Sequence, residues 1–197
     1  MRRRSSPVLA LTLAMAFLAL PTATPVMADS AAVAARPSEP DAYRMDDYRS
    51  ATPATLAGAT VVDTAGAKRL FDEGRAVFVD VLPRAPRPAG LPASTVWHPK
   101  PRKDIPGSLW LVDTGYGALP PAMEAYFLGG LEKATAGDRE RPLVFYCLRD
   151  CWMSWNAAKR ALSAGYRQVV WYPDGTDGWA EAGLKLEPRE PVTRPDE

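Results

Sequence analysis

The chain has 197 residues, with 24 basic and 23 acidic side chains and one histidine, and a formal net charge of +1. This length fits a single domain with a full-sized core. The balanced charge excludes the extended basic surface that typical nucleic-acid-binding proteins carry. With one histidine and two cysteines, the chain offers too few ligands for a structural zinc site, so no metal site is predicted.

The first segment has the layout of a secretory signal peptide. Three arginines at positions 2–4 precede an apolar stretch at 7–20, and small residues then lead to Ala28. We predict that residues 1–28 are cleaved and that the mature chain is periplasmic. The apolar stretch is shorter than the about 20 residues of a membrane span, so no span is expected after processing. The alternative is an uncleaved N-terminal anchor.

The rest of the chain divides into three predicted parts. Residues 29–57 are rich in Ala, Pro, Ser and Asp, and we interpret them as a linker or a loosely held arm. Residues 58–187 are predicted as one domain, and residues 188–197 as a polar tail. Three side chains could dock the arm on the domain: Tyr43, Met45 and Tyr48.

Strands and helices alternate along the domain. In chain order, the patterns predict a strand at 60–62, a helix capped by Asp63 or Thr64 and ended by Gly74, a strand at 76–82, a Pro-rich stretch at 83–106, a strand at 107–112, a helix opened by Pro120 and Pro121, a strand at 142–146, a helix at 153–164, a strand at 169–172 and turns at 173–179. Near-continuous apolar strands that alternate with helices predict a mostly parallel sheet covered by helices.

The two cysteines follow the strongest apolar strand. Cys147 comes directly after residues 142–146, where a strand leads into a helix, and active sites of open α/β sheets lie at such turns. Backbone N–H groups there favour an anion and lower a thiol pKa. Arg149 would help a thiolate and Asp150 would oppose it. Cys151 can reach Cys147 only if the loop curls. Otherwise the two cysteines are small core residues.

Three further features could serve the same site. Trp152 and Trp155 bracket the exit of the loop, either as core or lid packing or as a platform for a flat quinone. Asp80 ends the strand at 76–82 and could orient the loop or cap the neighbouring turn. The basic loop at 97–103 is interpreted as solvated, the alternative being a lip that attracts an anionic substrate.

Four blocks of the sequence, in the correct order, resemble the rhodanese-like family. The resemblance covers about residues 58–187 and implies a three-layer α/β/α domain with a mostly parallel sheet. We also predict that Asp80, Asp150 and Ser154 support the active loop. The blocks are the strand at 77–80 ending in Asp80, the segment 104–108 that is similar to H-I-P-G-A, the loop and helix from Cys147 through Ser154 to Leu162, and the segment 175–183 with Trp179.

Residues 147–160 and 171–179 closely resemble secreted rhodanese-like proteins called PQQ-dependent catabolism-associated CXXCW motif proteins. This resemblance implies an association with alcohol oxidation by pyrroloquinoline-quinone dehydrogenases, hence a PQQ-linked redox partner and no certain cofactor of its own. The loop departs from the usual rhodanese form. Asp150 stands where that form has glycine, Met153 replaces an arginine, and the loop is one residue longer. Without the arginine, phosphatase chemistry is not expected.

The expected function is cysteine thiol or persulfide chemistry on a small sulfur compound or a protein thiol. Cys147 would attack as the thiolate, Cys151 would resolve the adduct, and Arg149 with the loop amides would stabilise the anion. Such a catalyst would be a sulfurtransferase or a thiol–disulfide oxidoreductase. The alternative is a non-catalytic module that binds a redox cofactor, Cu(I) or a periplasmic quinoprotein dehydrogenase.

Overall fold

The computed structural model describes residues 36–195, which belong to one compact unit. The predicted signal peptide, residues 1–28, and the first part of the arm, residues 29–35, lie outside the described residues. Between residues 36 and 195, none of the helices combines the length and apolar character that a bilayer span requires.

The described residues contain four helices: α1 (Thr64–Glu73), α2 (Pro121–Thr135), α3 (Trp152–Ser163) and α4 (Gly175–Glu181). They also contain seven strands: β1 (Thr60–Val61), β2 (Val77–Asp80), β3 (Arg102–Asp104), β4 (Leu109–Trp110), β5 (Leu143–Tyr146), β6 (Val169–Trp171) and β7 (Glu187–Arg189). Five of the strands form a parallel sheet in the order β1-β6-β5-β2-β4, and β3 pairs antiparallel with β7 in a separate sheet.

The parallel sheet separates two apolar cores. Because successive side chains of a strand point to opposite faces, Phe145 and Tyr146 of β5 belong to different cores. Helices α2 and α3 pack on the Phe145 face through Phe127 and Trp155, while α1 and α4 pack on the other face, where Trp179 is buried. The structure thus confirms the predicted three-layer α/β/α domain with a mostly parallel sheet.

Local signals placed the first helix correctly. Asp63 is the N-cap of α1, and its Oδ1 accepts a hydrogen bond of 2.7 Å from the backbone N–H of Gly66. Gly74 ends the helix in the left-handed conformation, with φ +66°. Capping residues of this kind act over a few positions of the chain, which is why the sequence alone reveals them.

Helix α4 occupies much of the segment 173–179, which was predicted as turns. Its glycines disfavour a helix, but tertiary packing decides the conformation. Trp179 is 1 % exposed and packs edge-to-face against Phe71 and Phe78, with ring centroids 5.3 and 6.2 Å away. Burial of this indole holds the short helix on the sheet.

The pairing of β3 with β7 was not predicted. β3 lies in the Pro-rich stretch 83–106, and β7 extends two residues into the predicted tail at 188–197. Asp104 pairs with Glu187 in this ladder. The two segments are far apart in the sequence and neither has a strong apolar pattern, so only the folded chain reveals the pair.

The arm is docked rather than loose. Residues 36–57 contain no helix or strand, yet three of their side chains are buried: Thr52, Pro53 and Leu56. Tyr48 packs edge-to-face with Tyr116 at 5.4 Å, and Tyr43 lies under the guanidinium of Arg160 at 4.9 Å. Both tyrosines that were proposed to dock the arm therefore contact the domain. Met45 is 59 % exposed, but its sulfur lies close to Gly117, where an added Cβ would be 2.5 Å from it.

Candidate functional site

The cysteine loop, residues 147–151, joins β5 to α3 at the carboxyl edge of the parallel sheet. All four residues of β5 are buried, which fixes the point where Cys147 leaves the sheet. Cys151 is the N-cap of α3. Both cysteines are free, with exposed fractions of 0 % and 1 %. The structure therefore brings the two predicted thiols together as free cysteines, with no disulfide between them.

The Cys147 thiol is held in its neutral form. Its one S–H hydrogen is shared among three acceptors, the carbonyl oxygens of Cys151 at 3.5 Å and Leu148 at 3.8 Å and the Cys151 sulfur. Carbonyl acceptors favour the protonated thiol. Burial, together with the hydrogen bond to the Cys151 side chain, raises the pKa of Cys147 well above its usual value. Cys147 is consequently a poor nucleophile at neutral pH.

Cys151 carries the ionisable sulfur. The hydrogen bond from the Cys147 thiol, followed by those from the backbone N–H groups of Met153 and Leu148 and from the Arg49 side chain, lowers the pKa of Cys151 to about 6, against the opposing effect of burial. The start of α3 adds a field of the same sign. The geometry favours the reverse of the predicted roles, with Cys151 as the nucleophile and Cys147 as its hydrogen-bond donor.

Two predicted support residues shape the loop. Asp150 adopts the left-handed conformation with φ +51°, so it keeps the backbone geometry for which the usual glycine is suited. The Ser154 hydroxyl donates to the Cys151 carbonyl oxygen at 3.3 Å and accepts from the indole N–H of Trp171 at 3.0 Å. The Ser154 hydroxyl thus links the cysteine loop to Trp171 of β6.

Arg149 does not serve the thiolate as predicted. Its guanidinium forms two hydrogen bonds with the Glu181 carboxylate, of 2.7 and 2.6 Å, and lies 3.5 Å from Asp174. Its backbone N–H donates to Asp177 at 3.0 Å. The side chain is therefore committed to carboxylates around α4, and its role is to tie the cysteine loop to that helix.

The start of α4 holds the other end of the loop and was missed as part of the site. Thr176 donates to the Cys147 carbonyl oxygen from its backbone N–H at 3.0 Å and from its hydroxyl at 3.4 Å. Leu148 forms an antiparallel bridge with Gly175. The Thr176 hydroxyl also accepts from Arg102 at 3.4 Å. The one signal for this contact in the sequence is the glycine block at 175–183.

A buried charge cluster lies beside this contact. Asp80 caps the turn after β2 by accepting from Leu82 N–H at 2.9 Å, and it also binds Arg102 Nε at 2.8 Å. Arg102 lies 3.4 Å from Asp104 as well. Burial and the neighbouring Asp80 charge raise the pKa of Asp104 to about 8. Arg102 is therefore a largely buried partner of two carboxyl groups, with its side chain 12 % exposed. Other residues of the loop 97–103, which was interpreted as solvated, are exposed: His98, Lys100 and Lys103.

The two tryptophans are packing residues. Trp152 and Trp155 are 3 % and 0 % exposed, and their rings meet edge-to-face at 5.5 Å. Their indole N–H groups donate to arm atoms, the hydroxyl of Ser50 at 3.1 Å and the carbonyl of Thr55 at 3.2 Å. The faces are covered, so the predicted platform for a flat cofactor is not present, and the packing alternative describes both residues.

Two polar residues of α3 that anchor the arm were also missed. Asn156 is buried, pairs with the backbone N–H and carbonyl of Arg44 at 2.9 Å each, and donates to Gly115 at 3.0 Å. Arg160, one turn on, donates to carbonyl groups within residues 114–117. Polar residues four positions apart on an otherwise apolar helix face are the signal that could have identified them.

Within residues 36–195, no group of three or more His, Cys, Asp or Glu side chains converges as a metal site would require. A Cu(I) ion would have to use the two thiolates. The Cys147 thiol instead donates toward carbonyl oxygens, which suits a protonated sulfur and not a ligand. The geometry of the described residues thus gives no support to the copper-binding alternative.

Comparisons with known proteins place the fold in a family. The model of the rhodanese-like domain family matches residues 63–182. Three solved structures resemble the chain. The polysulfide-sulfur transferase homodimer of Wolinella succinogenes is 20 % identical, with 68 % of this chain and 82 % of that chain covered and a TM-score of 0.42. A human single-domain sulfurtransferase is 25 % identical, with coverage of 62 % and 96 % and a TM-score of 0.38.

The third structure, an uncharacterized protein from Saccharomyces cerevisiae, is 24 % identical, with coverage of 64 % and 93 % and a TM-score of 0.39. No curated protein shows significant similarity to the chain. The family match spans more than half of the sequence and contains four of the five strands of the parallel sheet, the four helices and the cysteine loop. The chain therefore belongs to the rhodanese-like domain family, whose fold supports sulfur-transfer chemistry.

Proposed function

We propose that the protein transfers sulfur through a persulfide on Cys151, with Cys147 as the second thiol. One observation carries this proposal. The Cys151 sulfur accepts hydrogen bonds from the Cys147 thiol and from two backbone N–H groups, that of Met153 at the start of α3 and that of Leu148 in the cysteine loop, and its pKa is lowered to about 6. Cys151 is therefore a thiolate at neutral pH, and the thiolate is the reactive form of cysteine.

In the first step, the Cys151 thiolate attacks the sulfane sulfur of a donor such as thiosulfate. A sulfur–sulfur bond forms on Cys151, the donor's sulfur–sulfur bond breaks, and sulfite leaves with the electron pair. The Cys151 persulfide anion then passes its outer sulfur to an acceptor nucleophile, which restores the thiolate. No net oxidation takes place along this route.

The second cysteine opens a competing route. The Cys147 thiol can attack the inner sulfur of the Cys151 persulfide, which forms the Cys147–Cys151 disulfide and releases hydrosulfide with the Cys147 proton. An external dithiol must then reduce the disulfide and is itself oxidised. Since the Cys147 thiol already hydrogen-bonds to Cys151, both the sulfurtransferase and the thiol–disulfide oxidoreductase readings use the same pair.

We infer that this chemistry takes place in the periplasm, in association with PQQ-dependent alcohol oxidation. The signal-peptide layout of residues 1–28 supports export, and the resemblance of residues 147–160 and 171–179 to the CXXCW family supports the redox context. Periplasmic protein that begins at residue 29 is the expected product of processing, and N-terminal sequencing of that fraction checks it.

The alternative function, a docking module, has its own test. If the protein binds a PQQ-dependent dehydrogenase and the Cys151→Ser variant binds it equally well, the docking module would be favoured over the catalyst.

Titration of the thiolate absorbance near 240 nm tests the assignment of the nucleophile. We expect the wild type to show a transition near pH 6 that is lost in Cys151→Ser. Cys147→Ala removes the main hydrogen-bond donor and should raise the midpoint, whereas Cys147→Ser keeps a donor and should raise it less. A transition that disappears with Cys147 and survives without Cys151 would overturn the assignment.

Intact mass after incubation with thiosulfate tests the transfer itself. Cys147→Ser should gain one sulfur atom that cyanide removes, and the wild type should also form the species that has lost two hydrogens. Cys151→Ser should show neither product, with circular dichroism confirming that the variant is folded. Two thiols that stay unmodified in the folded wild type would contradict sulfur transfer and favour a binding module.

A further inference from the structure

The arm places a cation on the cysteine loop. The carbonyl oxygen of Tyr48 accepts from the Trp152 backbone N–H at 2.9 Å, and the Ser50 hydroxyl accepts from the Trp152 indole N–H at 3.1 Å. These two bonds lie on either side of Arg49, whose side chain hydrogen-bonds to the Cys151 sulfur. Because Trp152 follows Cys151 directly, the arm holds Arg49 in register with the nucleophile.

The loop itself does not supply this charge. Arg149, the basic residue between the two cysteines, is bound to Glu181. Met153 stands where the usual rhodanese loop has arginine, and it packs so closely against Gly115 that a Cβ at position 115 would lie 2.3 Å from the Met153 Cβ. Arg49 is the basic side chain that the structure, over residues 36–195, places on the Cys151 sulfur.

Arg49 also connects the surface with the site. The residue is exposed while the sulfur that it contacts is buried, so its side chain spans the distance from solvent to the nucleophile. A guanidinium presents several N–H donors in one plane and binds oxyanions through two parallel hydrogen bonds. One donor can therefore stay on the Cys151 sulfur while others face an approaching anion.

We propose that Arg49 is the substrate-binding residue of this site, and that it selects anionic sulfur donors of the thiosulfate or polysulfide type. The inference rests on sulfur transfer at Cys151. During the attack, negative charge moves from the Cys151 sulfur to the leaving group, and Arg49 faces that charge throughout. The residue belongs to the arm and lies outside the family match at 63–182, so the arm completes the site of the domain.

Two variants and one control test this role. Arg49→Met removes the charge and keeps an unbranched chain, Arg49→Lys keeps the charge without the planar fork, and Arg36→Met removes an exposed arginine from the same arm. We expect Arg49→Met to raise the midpoint of the 240 nm thiolate titration by about one pH unit. The Arg49→Lys midpoint should fall between those of Arg49→Met and the wild type, and Arg36→Met should match the wild type.

Sulfur loading separates substrate binding from ionisation. At about pH 9 the thiolate forms in every variant, so a remaining difference reflects the donor. We expect Arg49→Met to load sulfur from thiosulfate about tenfold more slowly than the wild type. With the uncharged donor dimethyl trisulfide, attack on the central sulfur forms a mixed trisulfide on Cys151 and releases methanethiolate, and we expect this loading at the wild-type rate. Hydrogen exchange of residues 36–57 should be unchanged, which shows that the arm remains docked.

Each outcome addresses one claim. If the titration midpoint moves but the wild type loads no sulfur from either donor, sulfur transfer fails while the contact of Arg49 with the sulfur stands. If the wild type loads sulfur and Arg49→Met slows loading from both donors equally, the selection of anionic donors is overturned. If neither the midpoint nor the thiosulfate rate differs from that of Arg36→Met, Arg49 has no part in the site.

Discussion

The cysteine loop is held from two sides by contacts of different kinds. On the α4 side, the backbone of the loop meets the backbone of the helix start, through the bridge between Leu148 and Gly175 and the bond from Thr176 to the Cys147 carbonyl. On the arm side, a segment without helix or strand meets α3 mainly through side chains, such as Asn156 on Arg44 and the Trp152 indole on Ser50, with one backbone bond from Trp152 to Tyr48.

The α4 contacts fix the backbone of the cysteine loop, whereas the arm covers the loop. The α4 contacts lie inside the family match at 63–182, and there the two backbones are too close together to shift. Residues 36–57 lie outside that match and contain no helix or strand. The sulfur atoms are almost fully buried, so a donor must displace some covering group. We expect the arm to move and the α4 side to stay, because opening the arm breaks fewer backbone contacts.

The largest effect is expected from Gly175→Ala, which breaks the α4 side. Gly175 has φ +52°, and a Cβ there would lie 2.4 Å from the Cys147 carbonyl oxygen. Left-handed strain and the backbone clash should lower the free energy of unfolding by about 3–5 kcal/mol, measured by urea denaturation. Gly183→Ala is the matched control, because Gly183 has φ +73° with open space around its Cβ.

The control should cost about 1–2 kcal/mol from backbone conformation alone. The gap between the two variants measures the close approach of α4 to the loop. Equal losses in Gly175→Ala and Gly183→Ala would mean that the loop yields to the extra methyl group, and the α4 side could not then be the rigid one.

An intermediate effect is expected from Asn156→Ala, which releases the arm. The Asn156 amide satisfies the N–H and carbonyl of Arg44 and the carbonyl of Gly115. Leaving these groups without partners should cost about 1–3 kcal/mol. Hydrogen exchange should rise across residues 36–57 and stay low in α4, and Cys151 should react faster with iodoacetamide.

Ser163→Ala, an exposed substitution at the far end of α3, is the control and should change neither exchange nor alkylation. Faster exchange that spreads equally to α4 would show that the two sides open as one unit. In that case the arm would be part of the domain core and not a separable cover.

The sequence predicts the α4 side and the arm side unequally. The position of Cys147 follows from the apolar strand before it, and the cap at Asp63 and the stop at Gly74 are local signals. Helix α4 escaped prediction because burial of Trp179, a tertiary effect, outweighs its glycines. The docked arm escaped it because its anchors are buried polar groups such as Asn156, whose partner Arg44 lies 112 positions away in the chain.

The chemistry of the pair could not be read from spacing. The sequence indicates a thiol site but not which sulfur ionises, because that depends on the hydrogen bonds each sulfur makes. Cys147 faces carbonyl oxygens, while Cys151 receives donors that include Arg49, 102 positions away in the chain. Likewise, the proximity of Arg149 to both cysteines in the sequence does not reveal that Glu181 binds its side chain.

The smallest effect is expected from Arg149→Ala, which tests whether the Arg149 side chain contributes to holding the loop on its α4 side. Its ion pair with Glu181 is solvent-exposed, and exposed pairs contribute little because water screens the charges and the side chains lose freedom. The urea midpoint and the 240 nm titration should both match those of Arg69→Ala, an exposed arginine on α1. A shift of the thiolate titration in Arg149→Ala alone would instead show that this arginine acts on the sulfur as the sequence suggests. The backbone contacts of Thr176 and Gly175 would then not be sufficient to hold the cysteine loop on its α4 side.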